Sequence, residues 1–272
     1  MTPAKYLYVY IGYALLIVLF LGPVLFMLWG SFRHDSDITA FPPRFLGALT
    51  FANFQHLFQS LHFGRYLLNS FIVAGGSTLV GLLAGAPGAF CFVRLRLNRL
   101  AFVTLIARMA PGVLFLIPLY LMSVKVGAPG NDAVNYIILI FAQVIITLPL
   151  AVWLLVPFFE GVPLALDEAA VIDGCSLWQR FSRIALPIVV PGLSVAVTFC
   201  FIFSWNYFLF ALALANTHTL TLPVIAFNFI GVGQQDWGGL MAAAVLISLP
   251  AFALAVGAQR FLVRGLAFGA VK

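Results

Sequence analysis

Six long apolar runs decide what this chain can fold into. They cover Tyr8–Phe32, Leu67–Val93, Ala101–Val124, Ala133–Phe158, Ile188–Leu214 and Gly239–Leu262. A helix rises about 1.5 Å per residue, so each run is long enough to cross about 30 Å of hydrocarbon. None alternates polar and apolar residues with period two, which argues against a membrane β-barrel. Only 8% of the 272 residues are charged and 63% are hydrophobic, whereas a soluble domain carries about 25% charged residues. That is too little charge to coat a surface facing water. It excludes an ordinary soluble enzyme and a disordered chain. The expected fold is all-α: a polytopic membrane protein with six transmembrane helices. The first run sits where a signal peptide would. It is longer than an apolar signal core of about 7–15 residues and ends in Arg33-His34-Asp35 without a small-residue cleavage site, so it is read as a span.

The net charge of +6 comes from 14 Lys and Arg against 8 Asp and Glu. These bases are sparse and form no stripe interleaved with aromatics, so the expected partner is membrane lipid and not nucleic acid. Their distribution orients the chain. With the N-terminus inside, the inner segments hold Lys5, then Arg94, Arg96 and Arg99, then Arg180 and Arg183, then Arg260, Arg264 and Lys272. The outer loops hold Arg33, Arg44, Arg65 and Lys125. Both termini are therefore expected in the cytoplasm, and the Arg94–Arg99 cluster reads as a topology signal. Cys91, Cys175 and Cys200 are odd in number and far apart, which suits neither a disulfide framework nor a zinc site. His34, His56, His62 and His218 lie in outer loops without ligand spacing, so no metal site is expected.

Within the spans, Gly81 and Gly85 form a G-x-x-x-G in a run that also holds Gly75, Gly76 and Gly88. Small residues let helix backbones approach closely in lipid. Pro111, Pro118 and Pro149 lie inside predicted spans and free carbonyls that neighbours or water must satisfy. Arg108 is a basic residue inside a span, and Trp205, Asn206 and Tyr207 place polar atoms within another. Intramembrane charge flags Arg108, and the aromatic faces and amide of the other three suit sugars, so these four are candidates for a substrate pathway. Snorkelling by Arg108 and interhelical hydrogen bonding by the others are the structural alternatives. Three hydrophilic segments are long enough to act: Arg33–Tyr66 and Ala215–Gly238 outside, the latter with Asn216, His218 and Gln234-Gln235-Asp236, and Phe159–Pro187 inside.

The inner segment holds four of the eight acidic residues: Glu160, Asp167, Glu168 and Asp173. It reads as two short helices. Pro163 suits a first helical position. Gly174 sits where a helix ends on a residue of positive φ. Ser176 followed by Gln179 is a capping-box pattern. On the first helix Leu164, Glu168, Val171 and Ile172 share one face, with Ala169, Ala170 and Asp173 on another. A small-residue face beside a glycine corner suits the docking of another protein. A hairpin lying on the membrane is the alternative.

The spacing Glu168-Ala169-Ala170, three residues, Gly174, nine residues, Ile184-Ala185-Leu186-Pro187 resembles the EAA loop of ABC-type importer permeases, and every element of E-A-A-x3-G-x9-I-x-L-P is present. Asn69-Ser70, Arg108-Met109, Pro118-Leu119-Tyr120, Trp205-Asn206 and the tail from Gly265 to Lys272 resemble the carbohydrate-uptake branch, and within it the shorter, maltose-permease-G-like partner of a permease pair. Where that branch often has an acidic residue after Trp-Asn, this chain has Tyr207. The resemblance implies a type I ABC importer permease fold, with 1–272 a single transmembrane domain and the coupling loop at about 159–187. Asp167, Glu168, Ala169, Ala170, Asp173, Gly174, Ile184, Leu186 and Pro187 would then couple to an ATPase. Two ATPase subunits, a second permease and an extracytoplasmic sugar-binding protein are the implied partners. The chain has no G-x-x-x-x-G-K-[ST], so it is expected to bind no cofactor, with ATP and Mg on the ATPase. It is expected to transport a sugar and to catalyse no bond chemistry. A permease for glycerol phosphate, peptides or amino acids is the nearer alternative. A proton- or sodium-coupled secondary transporter is disfavoured because no span interior holds Asp or Glu, and a membrane enzyme because no ionisable cluster is visible.

Overall fold

A computed structural model of the chain describes residues 3–229 and 236–270, with side chains for 8–227, 229 and 236–259. The side chains of Lys5, Arg260, Arg264 and Lys272, the Gln234-Gln235 pair and the side chains of the tail from Gly265 lie outside the described residues. Among these residues the secondary structure is helical, without strands. The main helices are α1 (Pro3–Ser31), α2 (Ala52–Gln59), α3 (Phe63–Arg94), α4 (Asn98–Met109), α5 (Leu116–Lys125), α6 (Asp132–Glu160), α7 (Leu164–Ile172), α8 (Val190–Trp205), α9 (Phe208–Leu214) and α10 (Trp237–Ala270). Among the described residues four helices are long and apolar enough to span a membrane, and two sharply bent pairs raise the number to as many as six. Residues 1–65 with 225–249 form one compact unit, and residues 66–224 with 250–272 form another.

In the first unit the Arg33–Tyr66 segment is an ordered cap on the end of α1. Arg33 is buried, and its guanidinium donates to the carbonyls of Phe45 and Gly47. The Asn53 amide donates to the carbonyls of Ser31 at 3.0 Å and Arg33 at 2.9 Å. The Asp35 carboxylate accepts from the N–H groups of Trp237 and Gly238. It thereby satisfies orphan donors at the start of α10.

The second unit is built around α6. The glycine run of α3 lies on it. A Cβ placed at Gly81 would stand 2.6 Å from Thr147 Oγ1, and one at Gly85 2.9 Å from Ala151 Cβ. The G-x-x-x-G is thus a contact between two helices of this chain. Polar groups reinforce it. The Thr147 hydroxyl donates to the Ser77 carbonyl at 2.9 Å, the Ser77 and Ser204 hydroxyls meet at 2.7 Å, and Ser204 also bonds Gln143. In hydrocarbon such groups find partners only within the protein. At the far end Asn69 donates to the carbonyls of His218 and Leu220 and accepts from the Tyr136 hydroxyl at 2.6 Å. Ser70 accepts from the Leu222 N–H. Asn69-Ser70 therefore pins the start of the 215–238 segment.

Two of the expected spans are not continuous helices. The run Ala101–Val124 breaks at Ala110, and its two halves meet at 90°. Pro111 disfavours helical backbone in the residue before it, and Ala110 accordingly has ψ 126°. Pro118 falls in the first turn of α5, where a missing N–H costs nothing. The run Ile188–Leu214 breaks twice. It bends by 84° around Val189, just past Pro187, and again at Asn206-Tyr207, where Tyr207 has ψ 102°. The Asn206 amide donates to the Ile202 carbonyl at 2.9 Å, competing with the backbone for the last turn of α8. Pro149 and Pro157, by contrast, sit inside an unbroken α6.

Candidate functional site

The 159–187 segment folds as two limbs joined at a glycine corner. Gly174 has φ 76°, the left-handed conformation that its position predicts. Its N–H donates to the Val171 carbonyl, and the Cys175 N–H donates to the Ala170 carbonyl. This is a Schellman closure of α7. Ser176 then opens the second limb with the expected capping box. Its hydroxyl accepts from the Gln179 N–H, and the Gln179 side chain accepts from the Ser176 N–H.

That limb is not a plain α-helix. Residues Arg180–Ala185 form a π-helix, in which the Leu186 N–H reaches the Phe181 carbonyl. The Pro187 ring would clash with the carbonyl four residues earlier in an α-helix, and the wider turn relieves it. Phe181 packs with Phe90 from α3 and Phe159 from α6, at ring separations of 5.5 and 6.2 Å. Ala185 and the partly buried Leu186 join the same apolar cluster. Ile184 is half-buried and Pro187 exposed.

Helix α7 is held differently. Only Asp167 and Ala170 of its residues are buried. The Asp167 carboxylate accepts from the Nε–H of Arg180 at 2.9 Å and from a terminal N–H of the same guanidinium. Arg94, at the end of α3, stands 3.7 Å from the same carboxylate and donates to the Val162 carbonyl at 3.0 Å. The hydrogen-bonded carboxylate raises the Arg180 pKa above its ordinary value, which keeps the guanidinium charged. Removing one member of a buried ion pair costs about 3–5 kcal/mol, so this cluster sets the rotation of α7. The consequence corrects the helix face read from the sequence. Ala169 and Ala170 do not share an exposed surface. Ala170 faces inward one turn from Asp167, while Leu164, Glu168, Ala169, Val171, Ile172 and Asp173 face outward. Ile172 is 86% exposed, and Trp178 on the second limb is also exposed. The free surface is an apolar ridge flanked by carboxylates.

In the sequence Arg94 and Arg180 read as topology signals. Arg94 reaches Asp167 from the end of α3 and Arg180 from across the Gly174 corner, so neither stands at a helical spacing from it. The Phe90–Phe159–Phe181 cluster is hidden for the same reason in a chain with 28 phenylalanines.

The second candidate region gathers both helix breaks. A cavity of about 240 Å3 is lined by Arg108, Ala110 and Gly112 around the first break and by Phe203 and Tyr207 around the second. Ile145, Ile146 and Leu150 of α6 close it. A Cβ at Gly112 would collide with the Tyr207 hydroxyl, so glycine there makes room for the tyrosine. The Arg108 guanidinium lies 5.9 Å from the centre of the Phe203 ring. Irregular backbone at membrane depth persists only where protein buries it or where it lines a cavity, and this cavity lies between the two breaks. Of the four pathway candidates, Arg108 and Tyr207 meet there. Trp205 is buried against Phe201 and Phe71, and Asn206 bonds its own helix. Among the described residues no group of His, Cys, Asp or Glu is placed to hold a metal ion.

Comparison with known proteins agrees with this architecture. Residues 77–268 match the family described as binding-protein-dependent transport system inner membrane component. The chain is 33% identical to the diacetylchitobiose uptake system permease protein DasC of Streptomyces coelicolor, over 94% of each chain. It is 32% identical to the trehalose/maltose transport system permease protein MalG of Thermococcus litoralis, over 96% of this chain and 95% of that one. In fold it is similar to a chain of a bacterial ABC transporter involved in import of the acidic polysaccharide alginate, with a TM-score of 0.72, 18% identity, and 96% and 98% of the two chains covered. The family match over residues 77–268 and the relatives at 32–33% identity, which are themselves transport permeases, make this chain a membrane transport component and not an enzyme: it belongs to the inner membrane components of binding-protein-dependent transport systems.

Proposed function

We propose that this chain is one permease of a heterodimeric pair in an ATP-driven sugar importer, with 1–272 acting as a single permease domain. The observation that carries the reading is the 159–187 segment: two braced limbs, a left-handed corner at Gly174 and an outward ridge of Leu164, Glu168, Ala169, Val171 and Ile172 that nothing in this chain covers among the described residues. A surface of that kind suits a groove on a separate ATPase, which binds ATP and Mg. Asp167, Gly174, Ile184, Leu186 and Pro187 shape the segment, while Glu168, Ala169 and Asp173 face the partner. Closure of the ATPases moves the docked segment, and packed helices convert that movement into alternating access.

Sugar as the solute is supported by the relatives named for diacetylchitobiose and for trehalose and maltose. The cavity agrees with it. Phe203 and Tyr207 offer aromatic faces, and Arg108 and the Tyr207 hydroxyl offer polar contacts, as small-molecule sites require. An extracytoplasmic binding protein delivers the sugar. The Lys and Arg distribution supports placing both termini and the 159–187 segment in the cytoplasm.

The test is reconstitution. The chain in liposomes without partners is expected neither to hydrolyse ATP nor to move solute. With the second permease, the ATPase and a loaded binding protein, uptake should follow ATP. Substantial flux through this chain alone, driven by a pH or sodium gradient, overturns the reading.

A further inference from the structure

The first limb of the 159–187 segment has an unusual attachment. Of the nine residues of α7 only Asp167 and Ala170 are buried, so the helix has almost no apolar anchor of its own. The second limb is tied down by Phe181 against Phe90 and Phe159. Apart from buried Ala170 and the Arg94 bond to the Val162 carbonyl just ahead of the helix, the attachment of α7 is therefore polar and centred on one carboxylate. That carboxylate faces two cations of different origin. Arg180 belongs to the second limb and grips it through two N–H groups. Arg94 is the last residue of α3, and its side chain is 5% exposed. Its Nε is buried without a hydrogen-bond partner, although it stands 3.7 Å from Asp167. A buried donor is costly to leave unpaired, so Arg94 is drawn to the carboxylate whenever α7 approaches it.

We propose that Asp167 is a positioning residue: with Arg94 and Arg180 it forms the joint through which movement of the docked segment reaches helix α3. The proposal rests on the importer reading for its functional consequence. Asp167 faces inward, toward Arg180 and Arg94. It acts through Arg94, which continues into the helix that packs on α6 by Gly81 and Gly85. A rigid attachment transmits displacement, and a loose one dissipates it.

The assembled complex carries spin labels at two exposed positions, Ala165 on α7 and Leu83 on α3, on a cysteine-free background. The distance distribution between them is measured with and without nucleotide, alongside ATPase co-purification and ATP turnover stimulated by the binding protein. With Asp167 intact the distribution is narrow in both states. Asp167→Asn and Arg94→Gln each broaden it and lower stimulated turnover about tenfold, within the usual range of coupling between sites, while the ATPase still co-purifies. Asp167→Glu restores the narrow distribution and most of the turnover, which loss of folding would not allow. If Arg94→Gln keeps the wild-type width, the joint does not reach α3 and the proposal is overturned. If Asp167→Asn releases the ATPase, Asp167 acts in docking, and the proposal is again overturned. An ATPase that fails to co-purify with the unsubstituted chain refutes the importer reading, and the distance distribution still decides the joint.

Discussion

The corner at Gly174 isolates one physical effect, because a methyl group added there meets no atom within 4 Å. Gly174→Ala therefore introduces no clash. What remains is the backbone: φ is 76°, and the left-handed region costs an L-residue about 1–2 kcal/mol. That energy weighs on the closure of α7, where Gly174 N–H meets the Val171 carbonyl at 3.0 Å and Cys175 N–H meets the Ala170 carbonyl at 2.9 Å. A change of that size shifts an equilibrium about 5–30-fold. Local opening of these two amides should become more frequent by the same factor, and their hydrogen-exchange protection should fall correspondingly. Gly174→Asn should lose less, since asparagine tolerates this conformation. Gly174→Val should lose at least as much as alanine and should also weaken the grip on the ATPase. Exchange is measured on the purified complex by mass spectrometry of peptides covering residues 165–180. Unchanged protection at residues 174 and 175 in Gly174→Ala would refute the argument, because the lower entropy of the opened alanine chain offsets only about 0.4–1 kcal/mol.

In the span contact, Gly81→Ala and Gly85→Ala should each destabilise the folded protein by about 1–3 kcal/mol through overpacking, whereas Gly88→Ala, whose Cβ would lie 4.0 Å from Val152, should be nearly neutral; thermal unfolding in detergent compares them, and equal midpoints for all three contradict the packing. Glu168→Lys reverses the charge on the exposed ridge and should reduce ATPase co-purification without reducing membrane insertion; retention of the ATPase at wild-type levels, together with full turnover, returns the segment to a hairpin on the membrane. Single cysteines at His56 and His218 should react with an impermeant reagent from outside intact cells, and one at Glu168 should not; outside labelling of position 168 reverses the orientation.

The apolar runs announce helices because their length and lack of charge leave no other way to satisfy a backbone in lipid. The EAA spacing announces the corner because glycine, serine and glutamine act locally, within one or two turns. Such signals survive in a linear string. The helix breaks were harder to see. Pro111 and Pro149 look alike in sequence, yet Ala110-Pro111 bends its helix pair by 90° while α6 passes through Pro149 unbroken. Around Pro149, α6 is buried on the α3 and α8 sides, with Leu150, Ala151 and Val152 in the core, and these neighbours can hold a helix that has lost one hydrogen bond. No residue of α4 is buried, so tertiary support there is weaker. The inward turn of Ala170 was illegible for a different reason. The residues that dictate it, Arg94 and Arg180, act through a carboxylate that any amphipathic reading would leave in water.

Where stiffness lies in the second unit follows from the same contacts. Helix α3 is fixed along its length: Asn69 and Ser70 at one end, Gly81 and Gly85 on α6 in the middle, and Phe90 and Arg94 against the 159–187 segment at the other. Helix α8 is joined to α6 through Ser204 and Gln143 and through Cys200, whose thiol donates to the Thr147 carbonyl. Close-packed interiors transmit displacement with little compression, so α3, α6 and α8 can carry a push from the segment as one piece. The interruptions at Ala110–Gly112 and Asn206–Tyr207 have given up consecutive helical hydrogen bonds, and backbone there can change angle at lower cost. Both interruptions border the cavity that holds Arg108 and Tyr207. A displacement of the stiff helices is therefore absorbed beside the cavity and not spread evenly through the spans. The importer proposed above would draw on that arrangement, with the cavity changing shape while the helices that receive the force keep theirs.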